Sequence, residues 1–182
     1  MKIILVRHGE SEHNAGIVDD KNSCLTKTGK KQAKFLGKKL KKYPISEIYS
    51  SKMLRAKETA QIISKIIKVP VKEEFEELNE YDSEILKSRL KILFNGRLKK
   101  LKKLLNKISK DKNEEKTILI IAHGVANRII MGYLLELPLI KQILRFKQHN
   151  TGLNVLYWNK NFKNWALDSM NNTSHLEEKL KW

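Results

Sequence analysis

Cysteine is almost absent from this chain: of 182 residues, only Cys24 carries a thiol. A single thiol excludes an internal disulfide framework and supplies no zinc-ligand spacing. Long apolar runs are missing too, and none approaches the roughly 18 residues that cross a bilayer. The short apolar run behind Met1-Lys2 is too brief for a secretory h-region. These absences predict a soluble, cytoplasmic protein without a membrane partner. Acidic residues are scarce, 20 against 37 lysines and arginines, for a formal net charge of +17. That excess suits a polyanion or an anionic substrate. Yet the lysines are spread along most of the chain, and arginine, which reads bases and phosphates bidentately, is sparse. The charge is read mainly as solvated surface, and nucleic acid is disfavoured as a partner.

What is present is a regular alternation of short apolar runs with helical periods. Ile3 to Val6 is unbroken and apolar, the pattern of a strand buried on both faces. Leu25 to Lys42 carries Leu25, Ala33, Leu36 and Leu40 on a helical period, with Thr26 or Thr28 as N-cap. Ile45 to Tyr49 reads as a strand, and Met53 to Ile67 as a helix stopped by Val69-Pro70. An extended stretch from Val71 and the acidic run "EEFEELNE" follow. Residues 83–109 form a basic, leucine-bearing segment of helical period whose apolar stripe reads as a packing face, and Gly96 is expected to break it. After a polar turn, "TILIIAHG" predicts another buried strand, then a helix from Ala126 to Leu135. Residues 153–158 and 162–167 read as a closing hairpin. The pattern predicts one α/β domain over 1–182 with a mostly parallel sheet, and residues 81–116 as a small basic helical cap insertion.

The two most apolar strands end alike, in "ILVRHG" and "LIIAHG". In a parallel α/β sheet the carboxyl ends of the strands share one edge, and ligands bind in the crevice there. Two histidines at two such ends can therefore meet. The glycine behind each is expected to admit an anion close to backbone N–H groups.

"LVRHGESEHN" resembles the defining motif of the histidine phosphatase superfamily, which includes the cofactor-dependent phosphoglycerate mutases. The similarity continues in order through "LTKTGKKQAKFLGKKL", "YSSKMLRAKETAQII", "LNE", "LIIAHGVANRIIMGYLL" and "NNTSHL", so it spans nearly the whole chain. The resemblance implies that His8 is the nucleophile that takes a phosphoryl group onto its ring, with Gly9 either accepting the other ring N–H on its carbonyl or leaving room for it. A neutral imidazole is competent for this near pH 7. It further implies that Arg7 and Arg55 clamp the phosphoryl oxygens, with His123 and the Gly124 N–H beside them and Asn14 as a neutral donor. By spacing alone, Arg55 would pair with Glu58 on its own helix. An alcohol leaving group needs a proton, and Glu73, Glu74, Glu76, Glu77, Glu80, Asp82 and Glu84 are all candidates by composition. The triplet Leu78-Asn79-Glu80 resembles the segment that supplies the donor, which selects Glu80, with Glu77 as the alternative. The implied chemistry needs no metal or other cofactor. His13, His149 and His175 are left to surface or packing roles.

The chain also departs from the pattern. Small phosphatases of this family continue from the acid into a glycine-tryptophan segment, whereas this chain has "YDSEILKSRL", so substrate identity does not carry over. Phosphoglycerate mutases have a much longer insertion between Glu80 and Thr117. A mutase must shield its intermediate from water, and a minimal cap does not. The expected function is hydrolysis of a small phosphate monoester. Mutase activity, protein (phosphohistidine) phosphatase activity and a basic nucleic-acid-binding module are the alternatives. Arg89, Arg97, Lys99, Lys100, Lys102 and Lys103 either bind a second anionic group of the substrate or form a solvated helix face. A homodimer is compatible with the sequence, though nothing in it demands one.

Overall fold

The computed structural model describes residues 1–81, 91–138 and 146–181, with backbone alone for 91–94. Six strands form one sheet: β1 (Lys2–Arg7), β2 (Ile45–Ser51), β3 (Val71–Phe75), β4 (Thr117–Ala122), β5 (Leu153–Asn159) and β6 (Asn164–Asn172). Their order is β3-β2-β4-β1-β5-β6. The first four are parallel and the β5-β6 hairpin is antiparallel, so the sheet is mixed α/β and mostly parallel. The helices are α1 (Lys27–Leu40), α2 (Leu54–Ile67), α3 (Lys91–Ile108) and α4 (Gly124–Leu134).

Side-chain alternation along β1 and β4 divides the core in two. Ile3, Leu5, Ile118, Ile120 and Ala122 pack beneath α3 and α4, while Ile4, Val6, Leu119 and Ile121 pack beneath α1 and α2. The division follows from handedness. The connections β1-α1-β2 and β2-α2-β3 both travel toward one edge, and β3-α3-β4 travels back. Right-handed crossovers therefore place α3 on the opposite face. Adjacent strands β1 and β4 are thus followed by helices on opposite faces, which opens a crevice at their carboxyl ends.

The structure selects between two of the expected caps and moves other boundaries. Thr26 caps α1, its hydroxyl accepting from Gly29 N. Helix α4 begins at Gly124 instead of Ala126, directly after His123. Helix α3 runs through Gly96 without a break, because Leu98, Leu101, Leu104, Leu105 and Ile108 are buried on the sheet and tertiary packing outweighs one glycine. The second half of the expected cap is thus part of the main core. Residues 82–90, which include Asp82, Glu84 and Arg89, lie outside the described residues. Among the described residues no helix is long and apolar enough to cross a membrane.

Candidate active site

The register Arg7↔Ala122 places His8 and His123 side by side as the first residues beyond two neighbouring parallel strands. The His8 N–H still donates to the Ala122 carbonyl at 3.0 Å. Neighbouring strands lie about 4.8 Å apart, and the imidazole centroids are 5.0 Å apart. Both rings are buried.

Their hydrogen bonds settle both tautomers. His8 Nδ1 is 2.6 Å from the Gly9 carbonyl, which can only accept, so Nδ1 carries the proton. Arg55 Nε donates to His8 Nε2 at 2.9 Å, so Nε2 presents its lone pair. His123 Nε2 lies 2.8 Å from Ser51 Oγ. The one hydroxyl hydrogen of Ser51 is already donated to Asn79 Oδ1 at 2.8 Å, an oxygen that also accepts from the Lys52 N–H. His123 therefore donates from Nε2, and its buried Nδ1 has no hydrogen-bond partner among the described residues. Burial first, then His123, Arg7 and Arg55, hold His8 well below the usual histidine range, the Gly9 bond opposing. Burial, then Arg55, Arg7 and Arg97, do the same to His123. Both imidazoles are neutral near pH 7.

Arg7 Nη1 donates to the Gln148 carbonyl at 2.7 Å, while its Nε is buried with no hydrogen-bond partner among the described residues. Arg55, in the first turn of α2, also reaches the Lys21 carbonyl and Met53 Sδ. It does not pair with Glu58, whose carboxylate instead accepts from Leu25 N at 2.6 Å. Glu80 Oε1 accepts from the N–H groups of Tyr81, Val125 and Ala126 at 3.1, 3.0 and 3.2 Å, so the carboxylate rests on the start of α4. A Cβ on Gly124 would lie 3.7 Å from Glu80 Oε2 and 3.8 Å from Arg7 Nε, so these two atoms face one gap above Gly124.

Five of the expected side chains therefore converge: Arg7, His8, Arg55, Glu80 and His123. Asn14 does not join them by hydrogen bond; it lies exposed in the turn after β1, its N–H donating to Ser11 Oγ at 3.2 Å. Gly9 meets one expectation, its carbonyl holding His8 Nδ1, and departs from the other. Its N–H is taken by Thr59 Oγ1 at 3.1 Å, and a Cβ there would meet the Gly29 carbonyl at 2.6 Å. That glycine serves a close approach of loop and helix, not of an anion. Glu77, the alternative acid, lines a cleft of about 380 Å³ with Met53, Glu76, Asn79, Glu80, Arg97 and Lys100. The cleft adjoins the cluster through Glu80 and does not include the histidines.

Sequence reasoning missed several supports. Arg128 lies four residues after Gly124 on α4, and its charge and that of Glu80 act on each other. The helical period would have revealed it had the helix start been placed at Gly124. Thr151 N donates to the carbonyls of Arg7 and His8, and Asn150 Nδ2 to that of His8 at 3.1 Å. Thr151 Oγ1 is hydrogen-bonded at 3.0 Å to His175 Nε2, so the tail steadies the backbone of Arg7 and His8. No local signal marks this contact. Among the described residues no three His, Cys, Asp or Glu side chains group as a metal site.

The model of the histidine phosphatase superfamily (branch 1) matches residues 3–91 and 94–173. A probable phosphoglycerate mutase of Proteus mirabilis is 26% identical over 98% of this chain and 96% of its own. A probable phosphoglycerate mutase of Photorhabdus laumondii is 41% identical over 68 residues, which span only 32% of that relative and 36% of this chain. Among solved structures, the phosphoserine phosphatase of Entamoeba histolytica, in complex with 3-phosphoglyceric acid, is similar at TM-score 0.75 and 29% identity. That match covers 97% of this chain and 99% of the other. With a family model spanning nearly the whole chain, and the two strand-end histidines and their arginines in one crevice, this chain belongs to the histidine phosphatase superfamily.

Proposed function

We propose that this protein is a phosphatase that hydrolyses a small phosphate monoester through a phosphohistidine on His8, with Glu80 as proton donor. The observation that carries the reading is the fixed His8 tautomer: Nδ1–H held by the Gly9 carbonyl, and the Nε2 lone pair turned to a guanidinium. A phosphoryl group entering between Arg7, Arg55 and the two histidines takes the Arg55 N–H onto an oxygen and frees Nε2. Nε2 forms the new N–P bond, the P–O bond to the leaving group breaks, and its oxygen takes the proton from Glu80. Oε1 is held by three backbone N–H groups, so Oε2 is the atom that carries this proton. Water then attacks phosphorus, gives its proton back to Glu80, and His8 leaves. The arginines meet the charge that accumulates on the phosphoryl oxygens. His123 donates through Nδ1 only as an imidazolium, so binding of the dianion brings a proton with it. No step requires a metal or a further cofactor.

The test is hydrolysis of 4-nitrophenyl phosphate with chelator present, by wild type and His8→Ala, with quenched-flow capture of acid-labile, base-stable phosphoprotein. Wild-type turnover with captured phosphate, both lost in His8→Ala, is the expected result. Equal activity of the two proteins would overturn the assignment. A second reading, phosphoglycerate mutase, is favoured by the name of the Proteus mirabilis relative that aligns along almost the full chain. Transfer between glycerate positions that depends on a bisphosphorylated primer would select it. Both charge signs line the cleft beside Glu80, a lining that suits a phosphorylated amino acid or acid as well as a sugar phosphate.

A further inference from the structure

Helix α3 meets the catalytic cluster through Arg97. Its Nη2 donates to the Asn79 carbonyl at 3.2 Å, and Nη2 and Nη1 donate to the Glu80 carbonyl at 3.3 and 3.4 Å. Its guanidinium carbon lies 4.0 Å from the centroid of the buried Tyr81 ring. One side chain thus holds three consecutive residues, the middle one being the carboxylate-bearing residue. Only a planar fork with several donors can span two carbonyls and stack on a ring at once, so lysine can replace it only in part.

Other bonds of that segment run within it and to its neighbours: Tyr81 N donates to Glu80 Oε1, Asn79 N to the Glu76 carbonyl, and the Tyr81 hydroxyl to the Glu77 carbonyl. Asn79 Oδ1 accepts from Ser51 Oγ and Lys52 N at the end of β2, and Glu80 Oε1 accepts from the start of α4. These bonds hold the side chains of Asn79 and Glu80, and none of them engages the Asn79 or Glu80 carbonyl. Arg97 supplies the missing anchor. Although charged and at the rim, it has both carbonyls and the ring as partners, which is a structural use of a residue the sequence offers as an anion ligand.

We propose that Arg97 is a positioning residue for general-acid catalysis, holding the Asn79-Glu80 peptide so that Glu80 Oε2 meets the leaving-group oxygen. This rests on the assignment of Glu80 as proton donor. Misplacing a catalytic group by about 1 Å costs on the order of 10²-fold. That loss falls on substrates whose leaving group needs the proton and spares those whose leaving group departs as a stable anion.

The experiment compares phosphoserine, an alkyl ester, with 4-nitrophenyl phosphate for wild type, Glu80→Gln, Arg97→Ala and Arg97→Lys, with thermal melts for each. Glu80→Gln is expected to lose roughly 10²–10⁴-fold in kcat on the alkyl ester and far less on the aryl ester. Arg97→Ala is expected to lose about 10- to 100-fold on the alkyl ester and at least about tenfold less on the aryl ester, with Arg97→Lys between it and wild type. If Arg97→Ala does not fold, Arg97→Lys and Arg97→Gln carry the same comparison. Selective loss in Glu80→Gln with equal or no loss on both esters in the Arg97 variants overturns the positioning role alone. Loss on both esters alike in Glu80→Gln overturns the proton-donor reading and the positioning role with it.

Discussion

At His8 the two ring nitrogens face partners of opposite kind, a carbonyl that only accepts and a guanidinium that only donates. The ring has no room for a second proton, and His123 is likewise held neutral. Burial first, then Lys39, also pushes His175 down to about 4. In the unfolded chain these imidazoles titrate near 6.5. Below that pH the unfolded state binds protons that the native state refuses, so stability present above about 6.5 is lost as pH falls. Each fully buried histidine removes up to about 1.4 kcal/mol per pH unit over this window. Denaturant unfolding at pH 7.0, 6.0 and 5.0 is expected to show this fall, and His175→Gln should flatten part of it. Stability that is level or rises from pH 6.5 to 5 would contradict the neutral pair.

At the scale of elements, the start of α1 and the middle of α3 make opposite use of glycine. Gly29 packs so closely on the loop after β1 that a Cβ would lie 2.0 Å from the Glu10 carbonyl oxygen. Gly29→Ala must separate the helix from the loop that follows His8. Its expected effect is a loss of stability of about 1–3 kcal/mol together with reduced turnover. Gly96 lies exposed inside α3, with open space where a Cβ would stand. Gly96→Ala is expected to stabilise by about 0.5–1 kcal/mol, because alanine loses less backbone entropy on folding. Thermal melts of both variants check the pair, and the same sign for both would refute the argument. The strand identities were legible because β1 and β4 are unbroken apolar runs. The continuation of α3 through Gly96 was not, since it depends on leucines meeting a sheet that local sequence does not reveal.

For the whole molecule, a net charge of +17 makes the folded state repel itself more than the expanded chain does. The ion pairs among the described residues are mostly exposed, such as Lys52–Glu76 and Lys160–Glu114, and offset little of this. Added salt is therefore expected to raise Tm as KCl goes from about 10 to 200 mM, where the Debye length falls from roughly 30 to below 10 Å. A Tm that falls over that range would show that specific ion pairs outweigh the repulsion.

The residue types needed for the chemistry were all legible in the one-dimensional chain: a histidine and glycine after each of two apolar runs, an arginine opening a helix, and an acidic segment. Runs and periods are local properties, so sequence carried the strands, the helices and the candidate list. Which of the five candidate acids among the described residues reaches the cluster was decided by the sheet. The order β3-β2-β4-β1 brings the ends of four strands to one edge, where the Glu80 carboxylate meets the first turn of α4. The same edge sets the tautomer of His123 through Ser51 and Asn79, and draws Arg97 from a basic helix face onto two carbonyls. Such choices depend on hydrogen-bond partners far apart along the chain, and only the crossing of the strands brings those partners together.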